Sequence, residues 1–308
     1  LMIEFLLLML AVFFVWKIFD QNVAETRIAV ILPESGDKRW DALINGMKQS
    51  AAENNVHMII CNTEEIDEPE VEREFIREQK DNDIDGFIIY PAPGHETENM
   101  LKKECGNKPY LLIADSLAVK EGETASPTIQ PDHREIGRRL GEQLKTKKQK
   151  IGIIADWKMS EAVQAEISGL TEALEGSGSE ISWCIYRRKE QNITERMKEE
   201  TKADALVILD PGVLEEFGEQ AEHGKYKGAE LYGVGYSLKT VALLDKGNIQ
   251  GLVVPDGYEI GYKSVKEIAG KTEHKFYKMK GYTTEYQIFS KKDFSMDDDL
   301  ERFLYSYE

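Results

Sequence analysis

One strand-turn-helix pattern occurs twice in this chain with the same internal spacing. Arg27-Ile28-Ala29-Val30-Ile31-Leu32 leads into a helical stretch carrying Asn45-Gly46-Met47. Lys150-Ile151-Gly152-Ile153-Ile154-Ala155 leads into one carrying Ser168-Gly169-Leu170. Ile28 to Gly46 spans 18 positions, as does Ile151 to Gly169. A later strand recurs as well: Asp85-Gly86-Phe87-Ile88-Ile89 echoes Asp204-Ala205-Leu206-Val207-Ile208, at a lag of 119 residues against 123 for the first pair. A duplicated α/β half folds into two similar lobes, and two lobes enclose a cleft. Ligands of open α/β sheets sit beyond the carboxyl ends of the strands, so function is expected in that cleft.

Short apolar runs alternate with helical patterns almost to the end of the chain. Strands are expected at 27–32, 56–61, 86–90, 110–114, 150–155, 181–186, 205–209, 230–234, 251–254 and 282–289. Most are rich in Ile, Val and Leu without polar alternation, the mark of strands buried on both faces. Helices are expected at 37–54, 68–80, 96–105, 134–147, 160–174, 193–202, 212–222 and 257–268, with a further one at 296–305. Strand-helix alternation predicts parallel sheets joined by right-handed crossovers. The fold class expected is therefore α/β, with two Rossmann-like lobes. In the tail, Asp297-Asp298-Asp299 suits the first turn of a helix better than a calcium loop, which needs spaced ligands and a glycine.

Charge and cysteine usage exclude several functions. The 39 basic and 56 acidic side chains leave a net charge of −17. That balance argues against nucleic acid, whose phosphates need Lys and Arg, and against adsorption to anionic lipid. Cys61, Cys105 and Cys184 form no CxxC and no Cys/His ligand spacing, so neither a zinc site nor a disulfide framework is expected. They read as buried free thiols. His57, His95, His133, His223 and His274 are scattered and read as structural or exposed. The first turn, Leu32-Pro33-Glu34-Ser35-Gly36-Asp37, is not a dinucleotide fingerprint, and GxxxxGK[ST], GxSxG and HExxH are all absent. No cofactor, metal or catalytic residue is assigned. The sequon Asn192-Ile193-Thr194 matters only in a host that glycosylates secreted proteins.

Residues 1–19 are almost wholly apolar, broken only by Glu4 and Lys17. As a helix they span about 28 Å at about 1.5 Å per residue, close to a hydrocarbon core of about 30 Å. No basic region precedes the run, and a cleavage after Ala24 would put Asn22 at −3, against a secretory cleavage site. An uncleaved single-pass transmembrane anchor is expected, followed by a linker at 20–26. Nearby charge does not settle orientation, because long domains translocate largely regardless of it. The linker reaches roughly 15 Å as a flexible chain, so the lobes work close to the membrane.

The strand, loop and helix from Ile28 through Gly46 resemble the opening unit of the type I periplasmic binding protein family, the ribose- and galactose-binding group whose fold is also the core of LacI-type repressors. Asn62, an acidic helix and then Asp85-Gly86-Phe87-Ile88-Ile89 are similar to its N…DGII segment. Ile129-Gln130-Pro131-Asp132 through Gly137-Arg138-Arg139-Leu140 resembles its crossing into the second lobe. Tyr232-Gly233-Val234-Gly235-Tyr236-Ser237 stands where the family has VGFD, and Asp256-Gly257-Tyr258-Glu259-Ile260-Gly261-Tyr262 where it has QDPYEMGY. The resemblance covers the chain from about Arg27 onward. It implies a three-crossing hinge, with crossings near Ser126–Pro131, Ser237–Leu238 and Gly281–Thr284. The lobes would then be residues 27–127 plus 238–280, and 128–237 plus 281–308.

The resemblance also marks the ligand positions, and there this chain departs from the family. Asp37, Arg39 and Trp40 replace an Asn and two aromatics of the first loop. Asp115 is followed by Ser116 where a hydroxyl-binding Arg is usual. Glu166 stands in place of a helix Arg, Asp210-Pro211 in place of an Asn-Asp pair, Ser237 in place of an Asp, and Pro255 in place of a Gln. The arginine clamps on sugar hydroxyls are thus expected to be missing. With Tyr90, Trp157 and Tyr236, the expected cleft is acidic and aromatic. Aromatic faces suit a sugar ring or a cation, and carboxylates accept from hydroxyls or pair with amines. The expectation is an extracytoplasmic solute-binding protein at the cell membrane. It closes on a small ligand, sugar-like or cationic and a carbohydrate first, and is read by an ABC permease or a sensor histidine kinase. Two alternatives stay open: a protein-binding ectodomain with a degenerate cleft, and a membrane-anchored α/β enzyme.

Overall fold

The computed structural model describes residues 9–13, 26–118, 124–158, 160–188, 192–221, 225–292 and 294. Strands β1 Thr26–Ile31, β2 Val56–Ile60, β3 Gly86–Ile89, β4 Tyr110–Ile113, β5 Thr128–Pro131 and β11 Tyr282–Thr284 form one sheet, ordered β11-β5-β4-β3-β1-β2. The second sheet contains β6 Lys150–Ala155, β7 Glu180–Tyr186, β8 Ala205–Ile208, β9 Glu230–Val234, β10 Gly251–Pro255 and β12 Tyr286–Ser290, ordered β12-β10-β9-β8-β6-β7. Every pairing is parallel except β10 with β12. Ile28, Ala29, Val30 and Ile31 are fully buried, as are Ile151, Ile153 and Ile154. Helices cover both faces of each sheet, which is why these strands carry no polar alternation.

The chain passes between the lobes three times. β5 ends at Pro131 in the first sheet, and the helix that follows, α4 (His133–Leu144), packs in the second lobe against α5 (Glu161–Leu174). β10 ends in the second sheet, and α9 (Gly257–Glu273) returns to pack on α1 (Asp41–Glu53) of the first. β11 then passes through the single residue Glu285 into β12. A strand entering the second lobe from the cleft side runs against strands that end there, and this accounts for the one antiparallel pair.

These passages correct the expected lobe limits. Residues 238–246 form a helix, α8 (Leu238–Lys246), absent from the sequence reading. Its Val241, Leu243 and Leu244 share a core with Leu214, Phe217 and Leu252 of the second lobe. The middle crossing therefore falls at Asp256, not at Ser237–Leu238. The Tyr282–Phe289 strand is two strands in two sheets, and β5 is a strand where a connection was expected.

The repeated glycines sit where helices cross. A Cβ on Gly46 would lie 2.1 Å from the Tyr258 carbonyl oxygen, and one on Gly169 would lie 1.9 Å from that of Arg134. Gly261 and Gly137 make the reciprocal approaches, at 1.9 Å from Leu43 O and 1.8 Å from Glu166 O. Each lobe thus seats the helix arriving from the other lobe's sheet directly against the glycine of its own first helix.

Among the described residues no helix is long and apolar enough to cross a membrane. The expected anchor at 1–19 lies outside the described residues apart from a helical stretch at 9–13, and so do the linker through residue 25 and the helix expected at 296–305.

Candidate functional site

The strands of both sheets, β12 excepted, end facing the interlobe cleft, so the residues just after them line it. The cleft holds two spaces. An inner cavity of about 60 Å³ is lined by Arg39, Trp40, Tyr90, His133, Asp156, Glu166 and Tyr236 among others. An outer mouth of about 440 Å³ is lined by Glu34, Asp37, Arg39, Glu65, Arg187 and Asp210, with Asn192, Thr194, Gly212 and Phe217 on its second-lobe side.

The first-lobe wall is built around a short turn. Asp37 accepts from the Arg39 amide at 2.8 Å and opens a 3-10 turn over Lys38–Trp40. That turn presses Trp40 inward, where its indole N–H donates to Pro33 O at 2.9 Å. Its ring meets Tyr90 edge-on, with centroids 5.5 Å apart. The Arg39 guanidinium lies 5.2 Å from the Trp40 ring and is paired with Glu34. Burial and the surrounding carboxylates raise the Tyr90 phenol well above its ordinary value, so it stays protonated.

Arg39 enters the cleft as expected, and a second arginine that the sequence reading did not place there joins it. Arg187 follows β7 and crosses to the first lobe, with Nη2 3.1 Å from Glu65 and 3.8 Å from Glu34. Its Nη1 lies 3.4 Å from Asp210 and 3.8 Å from Asp156 in its own lobe. The Trp157 ring lies 5.8 Å from the same guanidinium. Burial and the nearby Asp210 carboxylate push Asp156 up to about 7. The mouth together with Asp156 therefore sets six carboxyl groups (Glu34, Asp37, Glu65, Asp156, Asp210 and Glu216) against three guanidinium groups (Arg39, Arg187 and Arg188).

Two expected ligand residues are engaged by the protein itself. Asp115 accepts from the Ser160 hydroxyl at 2.6 Å and the Ala162 amide at 2.9 Å, binding the amino end of α5 across the lobes. Ala114, at φ 60°, makes the turn that aims Asp115 there. Glu166 lies 2.8 Å from His133 Nδ1. His133 Nε2 donates to the Ala114 carbonyl at 2.7 Å. Burial disfavours a charged imidazole, but the Glu166 contact outweighs it and raises His133. Asp210 caps α7 (Pro211–Gln220) through the Val213 amide at 3.1 Å while still facing the mouth. Ser237 does not join the site: its hydroxyl donates to Glu215 at 2.7 Å and caps α8.

Of the sequence-derived candidates, the structure brings Arg39, Trp40, Tyr90, Glu166 and Tyr236 around the inner cavity, and Asp37 and Asp210 to the mouth. Trp157 sits beside Arg187 in the passage between them. Asp156, Arg187 and His133 were missed. The first two were findable, because each is the first residue after a second-lobe strand. Among the described residues, no group of His, Cys, Asp and Glu is placed to hold a metal ion. Cys61 and Cys105 are buried, and Cys184 is partly so.

A family model described as a periplasmic binding protein domain matches residues 28–275. Among solved structures, a carbohydrate transporter solute-binding protein from Agrobacterium radiobacter, in complex with D-arabinose, superposes with TM-score 0.79 at 17% identity, covering 92% of this chain and 100% of that one. GanP, a glucose-galactose binding protein from Geobacillus stearothermophilus, gives 0.74 at 18% identity, with coverage of 88% and 99%. A carbohydrate transporter from Acidothermus cellulolyticus, in complex with myo-inositol, gives 0.70 at 15%, with coverage of 87% and 95%. No match emerges among curated protein sequences.

Proposed function

The chain belongs to the periplasmic binding protein domain family, and on that premise we propose that it is an extracytoplasmic binding protein whose lobes close on a small polyhydroxylated ligand. Its family and its structural neighbours are binding proteins, not enzymes. The observation that carries the ligand reading is the inner cavity, where Trp40, Tyr90 and Tyr236 stand beside Arg39, Asp156 and Glu166 at the carboxyl ends of both sheets. Ring faces suit the C–H face of a sugar, and the charged groups suit its hydroxyls. Six carboxyl groups against three guanidinium groups favour a neutral or cationic ligand, such as a pentose, a cyclitol or an amino sugar. Binding shifts an open-closed equilibrium about the three crossings. The apolar run at 1–19 anchors the protein in the cell membrane, and the short linker favours a dedicated membrane partner, a permease or a sensor kinase.

A second reading has one specific observation behind it. Asp115 and Glu166 are occupied by Ser160, Ala162 and His133 rather than turned to an open site. This suits an ectodomain whose cleft no longer takes small molecules and whose partner is a protein. Isothermal titration with D-arabinose, myo-inositol, glucose, galactose and glucosamine separates the two. Saturable one-to-one binding supports the ligand reading, and silence across the panel supports the ectodomain.

A further inference from the structure

The most exposed aromatic side chain among the described residues is far from the cleft. Phe276 is 96% exposed, in a tight turn closed by the Tyr277 amide donating to His274 O at 2.8 Å. An isolated exposed Phe has no packing reason to be there, so its surroundings decide what it means. Residues 271–280 read Lys-Thr-Glu-His-Lys-Phe-Tyr-Lys-Met-Lys, four lysines and one glutamate in a chain of net charge −17. His274, Lys275, Phe276, Lys278 and Lys280 are all exposed.

The turn is held rigidly from beneath. The Glu267 carboxylate, 3% exposed, accepts from Tyr277 and Tyr282 hydroxyls and from the Lys280 amide. Lys271 donates to the carbonyls of Lys275 and Tyr277, both at 2.9 Å. That leaves Lys275, Lys278 and Lys280 without a carboxylate partner among the described residues. The fold thus presents a solvent-facing Phe in a turn with three exposed lysines and no carboxylate paired to them among the described residues.

Topology places this turn beside the amino end of β1. Gly86 pairs in register with Ile28, and the Ile268 side chain packs on Gly86. From that level α9 runs on from Ile268 to Glu273, about 8 Å at about 1.5 Å per residue. β1 begins two residues before Ile28, about 7 Å at about 3.3 Å per residue. Both therefore reach the same pole of the first lobe, opposite the cleft. The chain preceding Thr26 leaves from that pole toward the apolar run at 1–19.

We propose that the 274–280 turn is a second membrane contact, with Phe276 inserted at the bilayer interface and Lys275, Lys278 and Lys280 on anionic headgroups. Each lysine near an anionic surface is drawn to it, and the attraction fades over a Debye length. A tether reaching roughly 15 Å keeps the turn within about two Debye lengths of the surface, so the lysines meet the headgroup field whenever the tether is drawn in. The net acidity that disfavours free adsorption is overridden locally, because the tether fixes which pole meets the lipid.

The test uses the full chain carrying Phe276→Cys and Cys184→Ser, nitroxide-labelled and reconstituted in vesicles of equimolar phosphatidylcholine and phosphatidylglycerol. Oxygen, which partitions into acyl chains, should relax the label more than a water-soluble nickel chelate does. A label placed by Glu175→Cys in the same background, at the far pole of the second lobe, should show the reverse order. Replacing Lys275, Lys278 and Lys280 together with Glu should return the 276 label to the chelate. A 276 label that stays chelate-accessible in these vesicles overturns the proposal. One that leaves water only in native membranes overturns it in favour of a protein partner. The proposal rests on the anchor reading, and carbonate extraction of the wild-type chain tests that separately. Retention with the label in water fails this contact alone, whereas loss from the vesicles fails both. Neither outcome bears on ligand binding in the cleft.

Discussion

Arg187 of the second lobe holds Glu65 of the first at 3.1 Å, and this ion pair spans the mouth of the cleft. The same guanidinium reaches Asp210 and Asp156 on its own side. One side chain thus links the walls that a ligand must separate on entry. Its side chain is 25% exposed and that of Glu65 37%, so solvent screens the pair and its contribution is about 1 kcal/mol or less. Arg187→Gln should raise the open-to-closed ratio of the ligand-free protein by up to about fivefold. Distance distributions between spin labels on the two lobes check this, and an unchanged distribution would mean the pair does not hold the cleft.

Tyr236 lines the inner cavity, and burial raises its phenol so that it remains a donor at any ordinary pH. Tyr236→Phe keeps the ring and removes the hydroxyl. Ligand affinity should fall about tenfold, the worth of one hydrogen bond in a closed site, with little change in melting temperature. A fall in melting temperature without loss of affinity would make Tyr236 a packing residue.

Glu72 sits fully buried in the first lobe, accepting the Ala92 amide at 3.0 Å, and burial pushes it from 4.5 up to about 8. The folded protein therefore keeps a proton that the unfolded chain releases above about pH 4.5. This acid's raised value makes its contribution to stability decline as pH rises from about 4.5 to about 8, and level off above. Glu72→Gln should flatten that part of the stability-pH curve and raise the melting temperature at pH 8. Parallel curves for the two proteins would contradict the assignment.

Gly169→Ala puts a methyl carbon 1.9 Å from the Arg134 carbonyl, where only backbone movement relieves the overlap. The α4-α5 crossing should loosen at a cost of about 3 kcal/mol. Gly176→Ala serves as the control for a glycine with open space but positive φ, and it should cost about 1 kcal/mol. Chemical denaturation of the two variants gives the order directly. Equal losses would mean that the crossing is not tightly packed.

The repeat in the sequence carried the architecture because each copy encodes one strand end and one helix crossing, and both are local patterns. Gly46 and Gly169 form a matched pair in the sequence, whereas nothing local links either one to its partner, Gly261 or Gly137. The middle hinge was misplaced because Leu238–Lys246 is short and follows a Gly-rich strand, so nothing in the pattern told which lobe it packs on. The site was half legible. Tyr90 and Tyr236 follow from positions just after strands, and Trp40 from the first loop that the resemblance marks. Arg187 and Asp156 obey the same rule but matched no familiar ligand position. The engagement of Asp115 by Ser160 and Ala162 depends on how the lobes meet, which no local signal carries.

Calorimetric titration of the wild-type chain with a panel of neutral monosaccharides, cyclitols and amino sugars tests the central claim most directly. At least one member should bind saturably at one site per chain, and Tyr236→Phe should weaken that binding. No heat from any member, with the protein folded and its cleft shown by spin labels to open, would contradict a ligand-closed cleft.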